Sequence, residues 1–504
     1  MTRHSSFQFR PLALRALVPF VVLLGLGLAC GGREQMLVVL HTNDMHAWFA
    51  PRKGVLDDTT QVDLGGAPVL AALVRRYREE NPGATLYLDG GDFFQGTPIS
   101  TLSEGLACVE VMNLLAPDAV SLGNHEFDYG MVAQRRALDH AVFPVLQANV
   151  RMIGRPHPYA QSDLVVRRGN LQVAILGLNT DELFSVTDPR LLNGVRVDSS
   201  HAVARKWLKR VQSADVKICL SHGGFRADSL LALAVEGIDY IVGAHSHTVL
   251  HKPVQVGKTW IVQAGDQGRW LGVDTLYVKP GRGIRRAGGG LVPITAKAAP
   301  AAEDVAALVK AQEEQVNSRL GGVVATLATP FMRTRRGESA VGNWLCAAIR
   351  LETGAEIALW NNGGIRRDLS AGPLKERDFW ELSPFGNEVV VAPVKGSRLR
   401  ALLSQEAGRG GAHMHFDGLR VAAGPDGLPG VMLVGGKPME ESRSYRVAMT
   451  DYVWGLVKEE GDSLTVPVGS GVVDRDMLMA RARKEKTIRA VVDGRWGPGE
   501  ARGR

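Results

Sequence analysis

Five short segments concentrate the residue types that bind metal ions: His41-Thr-Asn-Asp-Met-His46, Gly90-Gly-Asp-Phe-Phe94, Gly123-Asn-His-Glu-Phe-Asp128, Ser221-His-Gly-Gly224 and Gly243-Ala-His-Ser-His247. They mix carboxylate and amide oxygens with imidazoles. Such a donor set suits a divalent ion of the zinc, manganese or iron type, whereas an oxygen-only cage suits calcium or magnesium. One carboxylate can bridge two ions about 3.5–4 Å apart, and the pair then clamps the attacking and leaving oxygens of an in-line displacement at phosphorus. Asp92 is the candidate bridge.

Each segment follows an apolar, strand-like run: Met36 to Leu40, Thr85 to Leu88, Ala119 to Leu122, Val216 to Leu220 and Tyr240 to Val242. The donors are therefore expected on loops at the carboxyl ends of strands, where an α/β sheet gathers distant side chains into one crevice. Taken singly they have plainer explanations. An Asp after a strand often caps a helix or closes a turn, Gly90-Gly91 is a turn signal, and a His-x-His pair such as His245/His247 is usually a packed or surface feature. Five such segments, each behind a strand, outweigh those explanations. His251 and His413-Met-His415 lack this context and are expected to be packed or solvated.

These motifs resemble the calcineurin-like metallophosphoesterases and, within them, the bacterial secreted 5′-nucleotidase/UDP-sugar hydrolase family, from about Met36 to about Val492. The resemblance implies an α/β chain: a four-layer αββα metallophosphoesterase sandwich followed by a second α/β substrate-binding domain. It implies two divalent ions, the first held by Asp44, His46, Asp92 and His247, the second by Asp92, Asn124, His222 and His245. It also implies that His125 is no ligand but faces the phosphate, oriented by Asp128. A carboxylate on one ring nitrogen fixes the tautomer and favours the imidazolium, which can stabilise phosphoryl oxygens. A water polarised by the two ions would attack phosphorus in line, with no covalent phosphoenzyme.

Asn361-Asn-Gly-Gly-Ile-Arg366 and Ser383-Pro-Phe-Gly-Asn387 resemble the family's second and third signatures, which bind the substrate beyond its phosphate. Glycines admit close backbone approach, and an arginine grips a phosphate or carboxylate with a fork of donors. Asn361, Gly364 and Arg366 are thus candidate substrate contacts. Arg333 lies near a further substrate arginine of the family, with Arg335 competing for that place. Phe385 stands at one of two rings that sandwich a nucleobase, and such stacking contributes about 1–3 kcal/mol per base in single-strand binders. The second ring falls near Gly461-Asp-Ser-Leu464, where Leu464 replaces the aromatic residue. Phe416-Asp-Gly418 departs from the family as well, since a small hydroxyl or glycine is usual before the last glycine. The implied activity is hydrolysis of extracytoplasmic nucleotides to nucleoside and phosphate. The missing ring keeps open a cyclic-nucleotide phosphodiesterase or nucleotide-sugar pyrophosphohydrolase; from another class, a non-catalytic nucleotide-binding lipoprotein is the rival.

A chain of 504 residues exceeds a single core. The expected division is a signal segment 1–30, a catalytic domain 36–292, a helical connector 296–322 carrying Val305, Leu308, Val309, Val316 and Leu320 at helical spacing, a substrate-binding domain 323–492, and a disordered Gly- and Arg-rich tail 493–504. Arg3, Arg10 and Arg15 precede the apolar run Ala16 to Ala29, which is shorter than the roughly 20 residues of a spanning helix. Ala29-Cys30-Gly31-Gly32 resembles a lipoprotein cleavage site, with Gly27 where Leu is preferred. Cys30 is the expected lipidation point, and a lipid-anchored place in the periplasm or at the cell surface follows. Cys108, Cys219 and Cys346 sit among apolar residues and read as buried small hydrophobes. The formal charge of +7 fits an anionic small-molecule phosphoester. No Lys/Arg run interleaves with aromatics, which argues against polymeric nucleic acid as partner.

Overall fold

The computed structural model describes residues 33–56, 61–154, 159–334, 337–408, 414–424, 428–458, 468–489 and 491–498. Its first half is built on two six-stranded sheets. One runs, edge to edge, Gly283–Pro293, Trp270–Lys279, Gln35–Thr42, Thr85–Asp89, Ala119–Ser121, Val145–Leu146; the other runs Val254–Val256, Thr259–Val262, Tyr240–Gly243, Val216–His222, Leu171–Asn179, Asp163–Arg168. The strands that lead into the five metal-type segments are parallel within each sheet.

Strict alternation along these strands decides the layering. In Gln35–Thr42, Leu37 and Val39 face the second sheet while Val38 and Leu40 face helices. In Val216–His222, Ile218 and Leu220 face the first sheet while Cys219 faces the opposite helices. Tyr240 and Val242 point inward, and Ile241 outward. Helices Gly66–Glu80 and Leu106–Leu115 cover one outer face, and Ser200–Leu208 and Phe225–Ala234 the other. Ala67, Leu70, Ala71 and Val74 supply the buried stripe of Gly66–Glu80. The result is the αββα sandwich. A polar bridge crosses the inter-sheet layer: His41 Nε2 lies 3.1 Å from Asp274 Oδ2, and the Tyr240 hydroxyl donates to that oxygen at 2.8 Å.

Helix Glu303–Leu320 lies within the stretch 296–322 and docks on both halves. Val305 and Val309 join the first core, while Val316 and Leu320 pack with Ile99, Ala107 and Trp380. Arg377 Nη1 donates to Glu313 Oε2 at 2.8 Å, and Arg190 Nη2 meets Asp451 Oδ2 at 2.8 Å across the junction. The second half centres on a five-stranded sheet ordered Met414–Asp417, Ile357–Asn361, Ser444–Thr450, Glu388–Lys395, Val468–Val473. Ala358 and Trp360 face helices Ala340–Thr353 and Asp474–Glu485, whereas Ile357 and Leu359 face Gly396–Gly408 and Asp451–Val457.

One expectation fails. Composition predicts disorder from 493 onward, yet Trp496–Pro498 forms a strand parallel to Leu419–Ala423, with Val421 opposite Trp496. Its order comes from tertiary contacts that composition does not reveal: the Glu338 carboxylate accepts the backbone N–H of Asp493 at 2.9 Å and of Arg495 at 2.8 Å. Residues 499–504 lie outside the described residues, as do Cys30, Arg335, His413 and Leu464. Cys108, Cys219 and Cys346 are free and buried, as expected.

Leu220 is fully buried in the inter-sheet layer two residues before His222. Leu220→Ala is expected to destabilise the protein by about 2–5 kcal/mol, read as a lowered urea midpoint.

Candidate active site

All five loops open on the same end of the sandwich, and the donors converge there. Asp44, His46 and His247 bring ligand atoms within 4.8 Å of one another; so do Asp92, His222 and His245, and so do His46, Asp92 and His125. His46 Nε2 is 3.1 Å from His247 Nε2, His222 Nε2 is 3.0 Å from Asp92 Oδ2, and His245 Nδ1 is 2.9 Å from Asn124 Oδ1. Asp92 thus stands between the two groups.

The backbone is bent to achieve this. Asp44, His46, Asp92, His245 and His247 all adopt left-handed conformations, with φ of 50°, 49°, 57°, 71° and 52°. Such conformations cost on the order of 1–3 kcal/mol each and persist where surrounding structure over-determines them. Here the restraint is visible. Glu126 accepts backbone N–H groups from Asp92 at 3.0 Å, Phe94 at 3.0 Å and Gly123 at 2.6 Å, so one carboxylate fixes two of the loops. Asn43 donates to Asp44 Oδ2 at 2.7 Å and to the Gly265 carbonyl at 2.6 Å. A Cβ on Gly123 would lie 2.1 Å from Asp92 Oδ1, so only glycine fits there.

Ring orientations are set by the nitrogen away from the centre. His222 Nδ1 pairs with the Gly90 carbonyl at 2.9 Å, which turns Nε2 toward Asp92. His247 Nδ1 lies 3.1 Å from Asp266 Oδ2. His125 Nδ1 lies 2.6 Å from Asp128 Oδ2, leaving Nε2 to face Asp92 Oδ2 at 3.9 Å. Burial opposes ionisation of Asp92, but His222 and His125 outweigh it and hold the carboxyl well below its usual range. Burial likewise opposes charge on His222, and the adjacent Asp92 carboxylate pushes its pKa up to about 10. His125 is raised because Asp128 and then Asp92 outweigh its burial. Burial and the neighbouring His222 press His245 down to about 3.

The donors fit a pair of divalent ions. Oxygen donors from Asp44, Asp92 and Asn124 alternate with four imidazoles, in surroundings too apolar to carry the carboxylates without counter-charge. Buried His222 Nε2 has no well-aligned hydrogen-bond partner despite its closeness to Asp92.

The second half of the chain reaches this centre. Arg366 Nη2 lies 3.2 Å from His46 Nε2, the Phe385 ring is 5.8 Å from the His125 ring, and the Arg366 guanidinium is 5.8 Å from the Phe385 centroid. Arg333 stands close enough to Arg366 to depress its pKa after burial has done so, and Arg333 is itself paired with Asp368 at 3.4 Å. Asn361 and Gly364 form the turn that delivers Arg366.

The calcineurin-like phosphoesterase family model matches residues 37–249, and the model for the 5′-nucleotidase C-terminal domain matches residues 323–457. The chain belongs to this two-domain phosphoesterase family. It is a phosphoric ester hydrolase of the divalent-metal type. It is 26% identical to the protein UshA of Yersinia enterocolitica, across 90% of this chain and 92% of the relative. It is 27% identical to the 5′-nucleotidase of Mus musculus, across 91% and 90%. The solved structure of a 5′-nucleotidase precursor from Thermus thermophilus superposes with a TM-score of 0.84 at 27% identity, covering 92% of this chain and 100% of that one.

Two supporting acids of this phosphoesterase escape a reading of the sequence. Glu126 lies inside one of the five motifs, and its burial beside Asp92 is what distinguishes it. Asp266 follows strand Thr259–Val262, the same strand-then-acid signal as the other segments, but without a histidine beside it. Of the two histidine sites left without a role, His415 is packed and buried, whereas His251 is exposed with its ring edge-on to Trp270.

Asp266→Asn keeps the shape but removes the carboxylate partner of His247. Supporting ligands of this kind typically matter about 10–100-fold, so chelator competition should report one ion weakened by roughly that factor and the other unchanged.

Proposed function

We propose that the chain is a 5′-nucleotidase-like phosphohydrolase that releases nucleoside and phosphate from extracytoplasmic nucleotides. The observation that carries this reading is the approach of Arg366 and Phe385, from the second half of the chain, to His46 and His125 of the phosphoesterase centre. A cationic fork and an apolar ring beside a phosphate site fit a leaving group that is a nucleoside. The names of the UshA and 5′-nucleotidase relatives point the same way.

In this reading Asp44, His46, Asp92 and His247 hold one ion, and Asp92, Asn124, His222 and His245 the other, with zinc or manganese the suitable species. When bound, the pair supplies Lewis-acid charge neutralisation and a water of lowered pKa. His125 offers Nε2 toward the phosphoryl oxygens, and Asp128 holds its proton on Nδ1 and stabilises the imidazolium. Arg366 offers its fork of donors to the nucleoside leaving group, with Arg333 behind it. Phe385 offers one face to the base. Asn361 and Gly364 shape the turn that aims Arg366. The domain limits 36–292, 296–322 and 323–492 belong to the same reading.

The N-terminal pattern supports export with a lipid on Cys30. Among the described residues, no helix is long and apolar enough to cross a membrane. Cys30→Ser should then move the protein from the membrane fraction to the soluble one.

The decisive assay is phosphate release from manganese- or zinc-loaded protein given AMP, UDP-glucose, 2′,3′-cyclic AMP and bis-p-nitrophenyl phosphate. AMP is expected to be the best substrate, and turnover of diesters alone would overturn the nucleotidase reading. His125→Ala should lower kcat by a factor on the order of 10²–10⁴ while metal content stays unchanged.

A further inference from the structure

The segment Asp493–Pro498 packs against helix Ala340–Thr353 and strand Met414–Asp417 in the second half of the chain. Arg495 is its hub. The Arg495 Nη1 atom donates to the Phe416 carbonyl at 2.9 Å and to the Asn343 carbonyl at 3.1 Å, and it pairs with Asp417 Oδ1 at 3.0 Å. Its Nε pairs with Asp493 Oδ1 at 2.9 Å. The guanidinium therefore ties edge strand Met414–Asp417 to helix Ala340–Thr353. Glu338, just before that helix, grips the same segment through the N–H groups of Asp493 and Arg495, and Asn343 Nδ2 donates to Glu338 Oε1 at 2.6 Å. Trp496 closes the contact, its ring centroid 6.1 Å from that of Phe416.

Strand Met414–Asp417 pairs antiparallel with Ile357–Asn361, setting Met414 opposite Asn361 and His415 opposite Trp360. That second strand runs directly into the Asn361–Gly364 turn and Arg366. Buried His415 fills the space between: its Nε2 stands 3.4 Å from both Asn362 Oδ1 and Ser339 Oγ, and its ring leaves no room for a Cβ on Gly342. Asn362 in turn donates to the Thr334 carbonyl at 2.6 Å, next to Arg333. An unbroken series of packed and hydrogen-bonded groups thus leads from Arg495 to both arginines of the substrate side. It also accounts for Phe416-Asp-Gly418, whose departure from the family pattern was otherwise without a reason. Asp417 is the shared partner of Arg350 and Arg495, and Phe416 receives Trp496.

We infer that Arg495 is a positioning residue, which holds the Asn361–Arg366 turn through strand Met414–Asp417 and so sets affinity for the leaving group without touching it. The inference rests on the reading that Arg366 and Phe385 take up a nucleoside 5′-phosphate. A small aryl phosphate needs only the metal-side residues and should be indifferent to the strap.

The test compares AMP with p-nitrophenyl phosphate in full-length metal-loaded protein. Removing a hydrogen-bonded charge at a packed site typically costs about one to two decades in an equilibrium constant, so R495A should raise KM for AMP about 10-fold or more. Its kcat and KM for p-nitrophenyl phosphate should stay within about twofold, and R495K should recover part of the loss. A second variant ending after Val492 should show the same split, with a synthetic peptide of residues 493–504 restoring KM; this measurement decides the matter if R495A does not fold. An unchanged KM for AMP in both variants overturns the inference, as does a parallel loss on both substrates that the peptide does not reverse. Wild-type protein that hydrolyses p-nitrophenyl phosphate but not AMP defeats the nucleotide reading itself. Wild-type protein that takes AMP, matched by R495A, defeats the positioning role alone.

Discussion

Two buried carboxylates, Asp44 and Asp92, share one small space with four imidazoles, and the rest of the structure answers to that crowding. Anions in apolar surroundings are tolerable only with counter-charge close by. Without an ion, protons supply it, which is why Asp92 keeps His222 charged. A divalent pair would replace those protons and turn a costly cluster into a ligand set, so that metal loading would add to local stability. The left-handed backbone at five donors belongs to this account, because no single contact would hold so many residues there.

The scaffold supplies what the crowding demands. Donors from both sheets meet because each sheet sends parallel strands to the same edge of the sandwich, and alternation along those strands leaves no choice of face. The Glu126 carboxylate and the Asn43 amide are the stitches that hold loops from different strands together. The docked connector Glu303–Leu320 then brings the second half close enough for Arg366 to meet His46.

Much of this was legible in the sequence, because metal donors sit in contiguous motifs behind apolar runs, and periodicity locates both. The strand before Asp44 was expected from Met36 to Leu40 and spans Gln35–Thr42; the strand before Asp92 was expected from Thr85 to Leu88 and spans Thr85–Asp89. Asp266 and Arg495 were illegible for a physical reason: their roles are created by partners far away in the chain, His247 Nδ1 in one case and the Phe416 and Asn343 carbonyls in the other. Segment 493–498 has the Gly and Arg content of a loose end, and only the Glu338 carboxylate gives its amide groups somewhere to go.

Strand Gln35–Thr42 sits in the interior of its sheet, between Thr85–Asp89 on one side and Trp270–Lys279 on the other, with His41 opposite Gly272. The first strand of the fold must therefore wait for a partner from far along the chain before its second edge is paired. Pairings of such long range form slowly and late. The loop that carries Asp44 thus follows a strand whose second edge is closed only by Trp270–Lys279. Hydrolytic competence therefore cannot precede the docking of Trp270–Lys279, wherever the chain folds.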